Sequence, residues 1–242
     1  MEAYGPLAEW FEYLNDDCDY ASWSQYFIDG LSTLGAGPCG LELGCGSGAF
    51  CRLLTRAGYR MEGADLSPAM LTKAEQLARE EGLRIPFFRV DASALKAPKQ
   101  YDFILSPNDC FNYIPQKKLF SAFSHAAKAV KKGGIFWLDI SSAYKLRHKV
   151  ADNISADDRE DVTYLSFNSL AKDRVEMDVT LFVRRKDGAF DRFDEHHTQY
   201  IHEEEDVSAA LEAAGFALVR TEGHLGTCKE GSDRLNFICR KK

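Results

Sequence analysis

The apolar positions of this chain follow two rhythms. Short apolar runs stop at glycine, aspartate or proline, and stretches with apolar residues every three or four places follow them. Leu41–Leu43 is one such run. Behind it Phe50, Leu53 and Leu54 share a helix face that ends at Gly58. Runs over 60–65, 85–90, 101–105 and 135–140 repeat the pattern, with helical stretches over about 68–81 and 117–131. Strand–helix alternation predicts a parallel sheet with helices on both faces. Two aromatic-rich helices precede the first strand. One covers 3–14, with Leu7, Trp10, Phe11 and Leu14 on one side; the other runs from about Asp19 to Leu34, with Tyr20, Trp23, Phe27 and Leu31.

The rhythm breaks after the fifth strand. Ser141 to Lys149 reads as a short helix. Val162–Asn168, Arg174–Arg185 and Phe190–His202 then read as three strands of a meander. Alternation is clear in Val175, Met177, Val179, Leu181 and Val183, and Asp187-Gly188 is a strong hairpin turn. A last helix over 203–214 stops at Gly215, before strands at Phe216–Glu222 and Asp233–Cys239. The expected fold class is α/β. It is a doubly wound, Rossmann-like sheet of seven strands, the last two a terminal hairpin, with an inserted three-stranded antiparallel sheet. A length of 242 residues suits one large domain with an insertion. The expected division is 1–36 as N-terminal helices, 37–150 with 203–242 as core, and 151–202 as insert.

Candidate chemistry concentrates where the first strand meets its helix, at Glu42-Leu43-Gly44-Cys45-Gly46-Ser47-Gly48. Glycines here let the chain take positive φ and let a ligand approach the backbone, beside a helix N-terminus with unpaired N–H groups. Gly44-x-Gly46-x-x-Ala49 also fits the loose dinucleotide fingerprint. Two details point elsewhere: Glu42 stands where a dinucleotide strand is usually apolar, and the glycines alternate. The segment resembles motif I of the class I S-adenosylmethionine (SAM) methyltransferases. Asp65 ends the second strand about twenty residues on, where one carboxylate can accept from both ribose hydroxyls. Ser67-Pro68-x-Met70-Leu71 caps the next helix, and Asp91-Ala92 ends the third strand. The order helix, Gly133-Gly134, apolar strand is also similar to the methyltransferase core.

The resemblance implies roles. Gly44, Gly46 and Gly48, with Cys45 and Ser47 between them, lie against the methionyl and ribose parts of SAM. Glu42 positions the loop and faces the amino group. Leu66 and Met70 sandwich the adenine, while Asp91 and the Ala92 N–H read its edge. Tyr20 and Trp23 lie across the cofactor mouth, and Ser106 and Pro107 sit near the transferring methyl. Asn112 and Tyr113 face the acceptor and are the expected catalytic residues. The insert resembles that of sugar N,N-dimethyltransferases and related bacterial methyltransferases of unassigned substrate, where it roofs the acceptor pocket. Glu195, His197 and Gln199 share one face of its third strand. They line that roof or form a structural polar ladder.

Charge and composition narrow the partners. A formal net charge of −7 leaves no electrostatic footprint for a phosphate backbone. Seven cysteines without paired spacing fit reduced thiols in a cytoplasmic protein. Neither a signal peptide nor a membrane span is expected. His196, His197 and His202 make no metal site, since adjacent strand residues point to opposite faces. The expected activity is SAM-dependent methyl transfer to nitrogen or oxygen of a small molecule by a monomer or homodimer. A non-catalytic SAM-binding module, an NADP-dependent oxidoreductase and an RNA or protein methyltransferase are the alternatives.

Overall fold

The computed structural model describes residues 4–242. Its main sheet has seven strands: β1 (Cys39–Leu43), β2 (Arg60–Asp65), β3 (Phe87–Arg89), β4 (Tyr101–Ser106), β5 (Val130–Ser141), β10 (Phe216–Glu222) and β11 (Arg234–Lys241). They lie in the order β10-β11-β5-β4-β1-β2-β3. Strands β1 to β5 are parallel, and β11 runs antiparallel to both β5 and β10. Strand β1 pairs with β2 on one side and β4 on the other. The strand order therefore reverses at β1, and a crevice opens above the carboxyl ends of β1 and β4.

Side chains alternate along each strand, and both faces are covered. On one face Leu41, Ile104, Phe136 and Leu138 pack with Phe123 of α5 (Gln116–Ala129) and Leu211 of α7 (Glu204–Ala213). On the other, Phe103, Leu105 and Trp137 meet Phe27 of α2 (Tyr20–Thr33) and Phe50 and Leu54 of α3 (Ala49–Arg56). Burying each large side chain contributes roughly 1.5–3 kcal/mol. The helix α4 (Pro68–Glu80) begins at Ser67, whose hydroxyl accepts the Met70 N–H, with Pro68 at its first position.

The insert is a second sheet with four strands, not the three expected: β6 (Ile154–Asp158), β7 (Val162–Leu170), β8 (Arg174–Arg184) and β9 (Phe190–Tyr200), all antiparallel. The extra strand, Ile-Ser-Ala-Asp-Asp, is an exposed edge with almost no apolar alternation to announce it. A short helical segment, α6 (Ala143–Lys145) continued as a π turn over 146–150, links the sheets.

The first helix, α1 (Leu7–Leu14), starts later than its periodicity suggests; residue 3 of the expected stretch lies outside the described residues. Glu195 of β9 accepts the Leu7 N–H at 2.9 Å and the Tyr4 N–H at 2.7 Å. A carboxylate there satisfies free amides and complements the helix dipole. This contact docks α1 between the two sheets. No helix among the described residues is long and apolar enough to cross a membrane.

Candidate active site

The glycine loop is held from β2. The Ala64 carbonyl accepts the N–H groups of both Gly44 and Cys45. Asp65 Oδ2 accepts the Gly46 N–H at 2.8 Å, and Oδ1 accepts the Ser67 N–H at 2.9 Å. One carboxylate thus ties together the ends of β1 and β2. Burial raises its pKa, and the amides of Ser67, Gly46 and Leu66 work against that rise. Gly44 has φ +77°, and a Cβ there would lie 2.3 Å from Cys110 Sγ. Gly46 also has positive φ, with nothing within 4 Å of a Cβ position. Backbone there faces open space, as a ligand cradle requires.

Glu42 is buried, with Oε2 accepting the Cys51 N–H at 2.8 Å. Burial pushes its carboxyl up to about 8, against the Cys51 hydrogen bond and the Arg52 charge. A cation placed over it would favour the ionised form.

These groups line a cavity of 220 Å³. Its floor is Gly44, Cys45, Gly46 and Ser47; Asp65, Leu66 and Met70 form one end, and Asp91 and Ala92 stand beside them. Pro107 and Tyr113 lie toward the β4 end, and Tyr4, Phe11 and Tyr20 line it from the N-terminal helices. Met70 is buried, whereas Leu66 is 53% exposed at the rim. Asp91 Oδ1 accepts the Ser93 N–H. Tyr20 packs edge-on against Phe50, with ring centroids 5.2 Å apart.

Four expected site residues lie elsewhere. Trp23 is core: its ring meets Phe27, Phe50 and His224, and the Arg234 guanidinium sits 4.8 Å above it. Gly48 is the N-cap of α3 and lies against Phe87 and Ala74, off the cavity lining. Ser106 is fully buried and donates to the Leu43 carbonyl at 2.7 Å, joining β4 to β1. Asn112 is also fully buried. Its Oδ1 accepts the Ser141 N–H, and Nδ2 donates to the carbonyls of Ser141 and Tyr200. With its amide committed to backbone, Asn112 clamps the two sheets together and lines neither this cavity nor the one between α1 and the inserted sheet.

Other residues complete the site without a sequence signal. Glu12 of α1 accepts from Ser47 Oγ at 2.5 Å and pairs with Arg52 at 2.9 Å, while Arg52 also donates to the Ser47 carbonyl and to Glu81. The N-terminal helix is thereby latched to the glycine loop. On the β4 side, Asn108 and Asp109 both have left-handed φ, +58° and +54°. Asp139 holds this strained pair by accepting both N–H groups, at 3.0 and 2.8 Å, and Arg234 bonds Asp139 in turn. Burial of Asp109 is outweighed by Arg234 and Lys145, so its carboxyl lies below the ordinary range.

A second cavity, of 320 Å³, lies between α1 and the inserted sheet. Tyr164, Met177, Val179, His197 and Gln199 line it from the sheet, with Asp157 and Ala156 from β6. Tyr4, Phe11 and Tyr113 line both cavities and form their common wall. His197 and Gln199 thus face the chamber, while Glu195 stands behind them as the cap of α1. Gln199 Nε2 donates to Asp109 Oδ2 at 3.1 Å. His196 points away and bonds Asp178 and Glu176 on the outer face. Among the described residues no three His, Cys, Asp or Glu side chains are grouped to hold a metal.

Tyr113 and Lys117 have the Tyr-x-x-x-Lys spacing of many reductases, yet Lys117 is exposed on α5 and absent from the cavity lining. The comparisons agree with the geometry. A family model described as a methyltransferase domain matches residues 41–134, from β1 into β5. The Geobacillus sp. (strain WCH70) protein GWCH70_2453, which carries a methyltransferase name, is 27% identical over 98% of this chain and 99% of its own. A SAM-dependent methyltransferase from Clostridium acetobutylicum ATCC 824 superposes with a TM-score of 0.88, at 26% identity, over 99% of each chain. The sugar N-methyltransferase KedS8 from Streptoalloteichus sp. ATCC 53650 shares the fold, with a TM-score of 0.85 at 19% identity, over 100% of this chain and 95% of its own. Glycine loop, strand-end carboxylate, sheet order and relatives converge: residues 41–134 match a methyltransferase domain, and the whole chain is similar in sequence and fold to SAM-dependent methyltransferases.

Proposed function

We propose that the chain methylates a nitrogen or oxygen of a small molecule bound in the chamber under the inserted sheet. One observation carries the reading: the cofactor cavity and the chamber share the wall Tyr4, Phe11 and Tyr113. Bound SAM supplies a methyl group already activated by its sulfonium. The chain's own residues then have to bind, align and keep water out. In this reading Asp65 holds the ribose, Leu66 and Met70 flank the adenine, and Asp91 with the Ala92 N–H reads its edge. Glu42 meets the amino group, and Pro107 lies near the methyl. Tyr113 stands at the boundary, where an acceptor from the chamber would meet the cofactor cavity. Alignment of this kind is worth roughly 7–11 kcal/mol at best. Segment 1–36 serves as cover of the cofactor mouth and 151–202 as acceptor roof.

A chamber of 320 Å³ walled by the inserted sheet and α1 is of a size for a small acceptor. The net charge of −7 also disfavours RNA. The sugar N-methyltransferase named above shares the fold, in keeping with a nitrogen acceptor. Methyl-labelled SAM incubated with separated metabolite, RNA and protein fractions of a bacterial extract tests the reading. Label is expected in the metabolite fraction; label confined to RNA or protein contradicts it.

A further inference from the structure

His197 is 4% exposed, and both of its ring nitrogens face partners. Nε2 lies 3.0 Å from Glu195 Oε2. Burial of Glu195 is outweighed by His197 and the amides of Leu7 and Tyr4, so the carboxylate is held ionised below its ordinary range. An ionised carboxylate only accepts, so the imidazole proton belongs on Nε2. Nδ1 then presents a lone pair to the Tyr113 hydroxyl, 3.4 Å away. The Tyr4 hydroxyl is 2.7 Å from that of Tyr113 and can donate to it, so Tyr113 is free to donate to Nδ1. Tyr4 takes left-handed φ, +59°, an unusual state for an aromatic residue. Glu195 and Ser67 Oγ hold its backbone there, and its ring meets the His197 ring edge-on at 4.8 Å.

We propose that Tyr113, His197 and Glu195 form a proton path draining the acceptor atom during methyl transfer. The inference rests on the acceptor occupying the chamber. The acceptor lone pair bonds to the methyl carbon as the carbon–sulfur bond breaks, and its electron pair stays on sulfur. The acceptor's proton passes to the Tyr113 oxygen while the Tyr113 hydroxyl proton passes to His197 Nδ1. The resulting imidazolium is paired with Glu195 until it loses the proton to solvent. This makes the substrate class a hydroxyl, or an amine bearing hydrogen. A thioether or tertiary amine would have no proton to lose. His197 faces titratable groups from several elements: Glu195 on its own strand, Tyr4 before α1, Tyr113 after β4, with Tyr164 on β7 and Asp157 on β6 across the chamber. No Lys or Arg lines the chamber among the described residues, so an imidazolium meets no like charge at its wall. Glu195 is a positioning residue, which acts through the tautomer of His197.

Two measurements on the full chain test this. Long-range nitrogen–proton NMR of histidine-labelled protein, with no acceptor present, reads the tautomer of His197. The expected neutral tautomer carries its proton on Nε2 and leaves Nδ1 bare, a preference that Glu195→Gln weakens. Protonation on Nδ1 in the wild type overturns the path, whatever the acceptor. Labelled methyl transfer to the metabolite fraction then compares wild type with His197→Gln at saturating SAM. Turnover is expected to fall about 100-fold, with SAM affinity kept. Equal turnover overturns the path. If wild type labels no metabolite, the small-acceptor reading fails, and the tautomer still decides the path.

Discussion

The Tyr113 hydroxyl lies 2.7 Å from that of Tyr4, a contact between residues 109 positions apart in the chain. It closes the wall between the cofactor cavity and the chamber. The contact depends on Glu195, which fixes the Tyr4 and Leu7 amides from the inserted sheet. The segment before the first helix and the loop after β4 thus meet at one pair of phenols that lines both cavities. Tyr113→Phe keeps the ring and removes the hydroxyl. SAM affinity measured by calorimetry should stay within about twofold, while turnover falls about 100-fold. A matching fall in affinity would place Tyr113 with the cofactor alone.

Asp65→Ala removes the acceptor of two backbone N–H groups along with the proposed ribose ligand. Charge-assisted hydrogen bonds contribute about 1.5–3 kcal/mol each, so SAM affinity should fall by on the order of 100-fold or more. Unchanged affinity would remove the ribose assignment.

At Gly44 two penalties coincide, positive φ and a Cβ contact of 2.3 Å with Cys110. Gly44→Ala should therefore abolish measurable SAM binding. Adding Cys110→Ala relieves the contact and leaves the dihedral cost of about 1–2 kcal/mol, so binding should return only in part. Full recovery would show that the contact alone requires glycine.

Glu42 links stability to pH. Its folded-state value of about 8 lies above the unfolded value of about 4.3. The folded chain therefore holds a proton that the unfolded chain has released. The contribution is fully present below about pH 4.3 and is lost as pH rises through about 8. In urea unfolding without SAM, wild-type stability should fall from about pH 5 to 8 relative to Glu42→Gln. Parallel pH dependences for the two proteins would contradict the assignment.

The cavity over the glycine loop was legible because its lining is largely local. Glycines that need positive φ, and carboxylates at strand ends, carry their geometry in a few adjacent residues. The acceptor side depends on contacts across the fold. Nothing in the sequence pairs Tyr4 with Tyr113, or Glu12 with Ser47 and Arg52. Trp23 and Asn112 show the opposite failure: both types suit a site, yet core packing claims the indole and backbone hydrogen bonds claim the amide. The β6 strand escaped notice because an exposed edge needs no apolar alternation. The Glu195-His197-Gln199 alternation did disclose a shared face, and the structure divides that face between chamber wall and helix cap.

The central claim is that the acceptor sits beneath the inserted sheet, and filling that space tests it most directly. Ala156 lines the chamber and not the cofactor cavity. With Ala156→Trp, labelled methyl transfer to metabolites should be lost while SAM binding by calorimetry is unchanged. Transfer at the wild-type rate, with the chamber filled, would contradict the account.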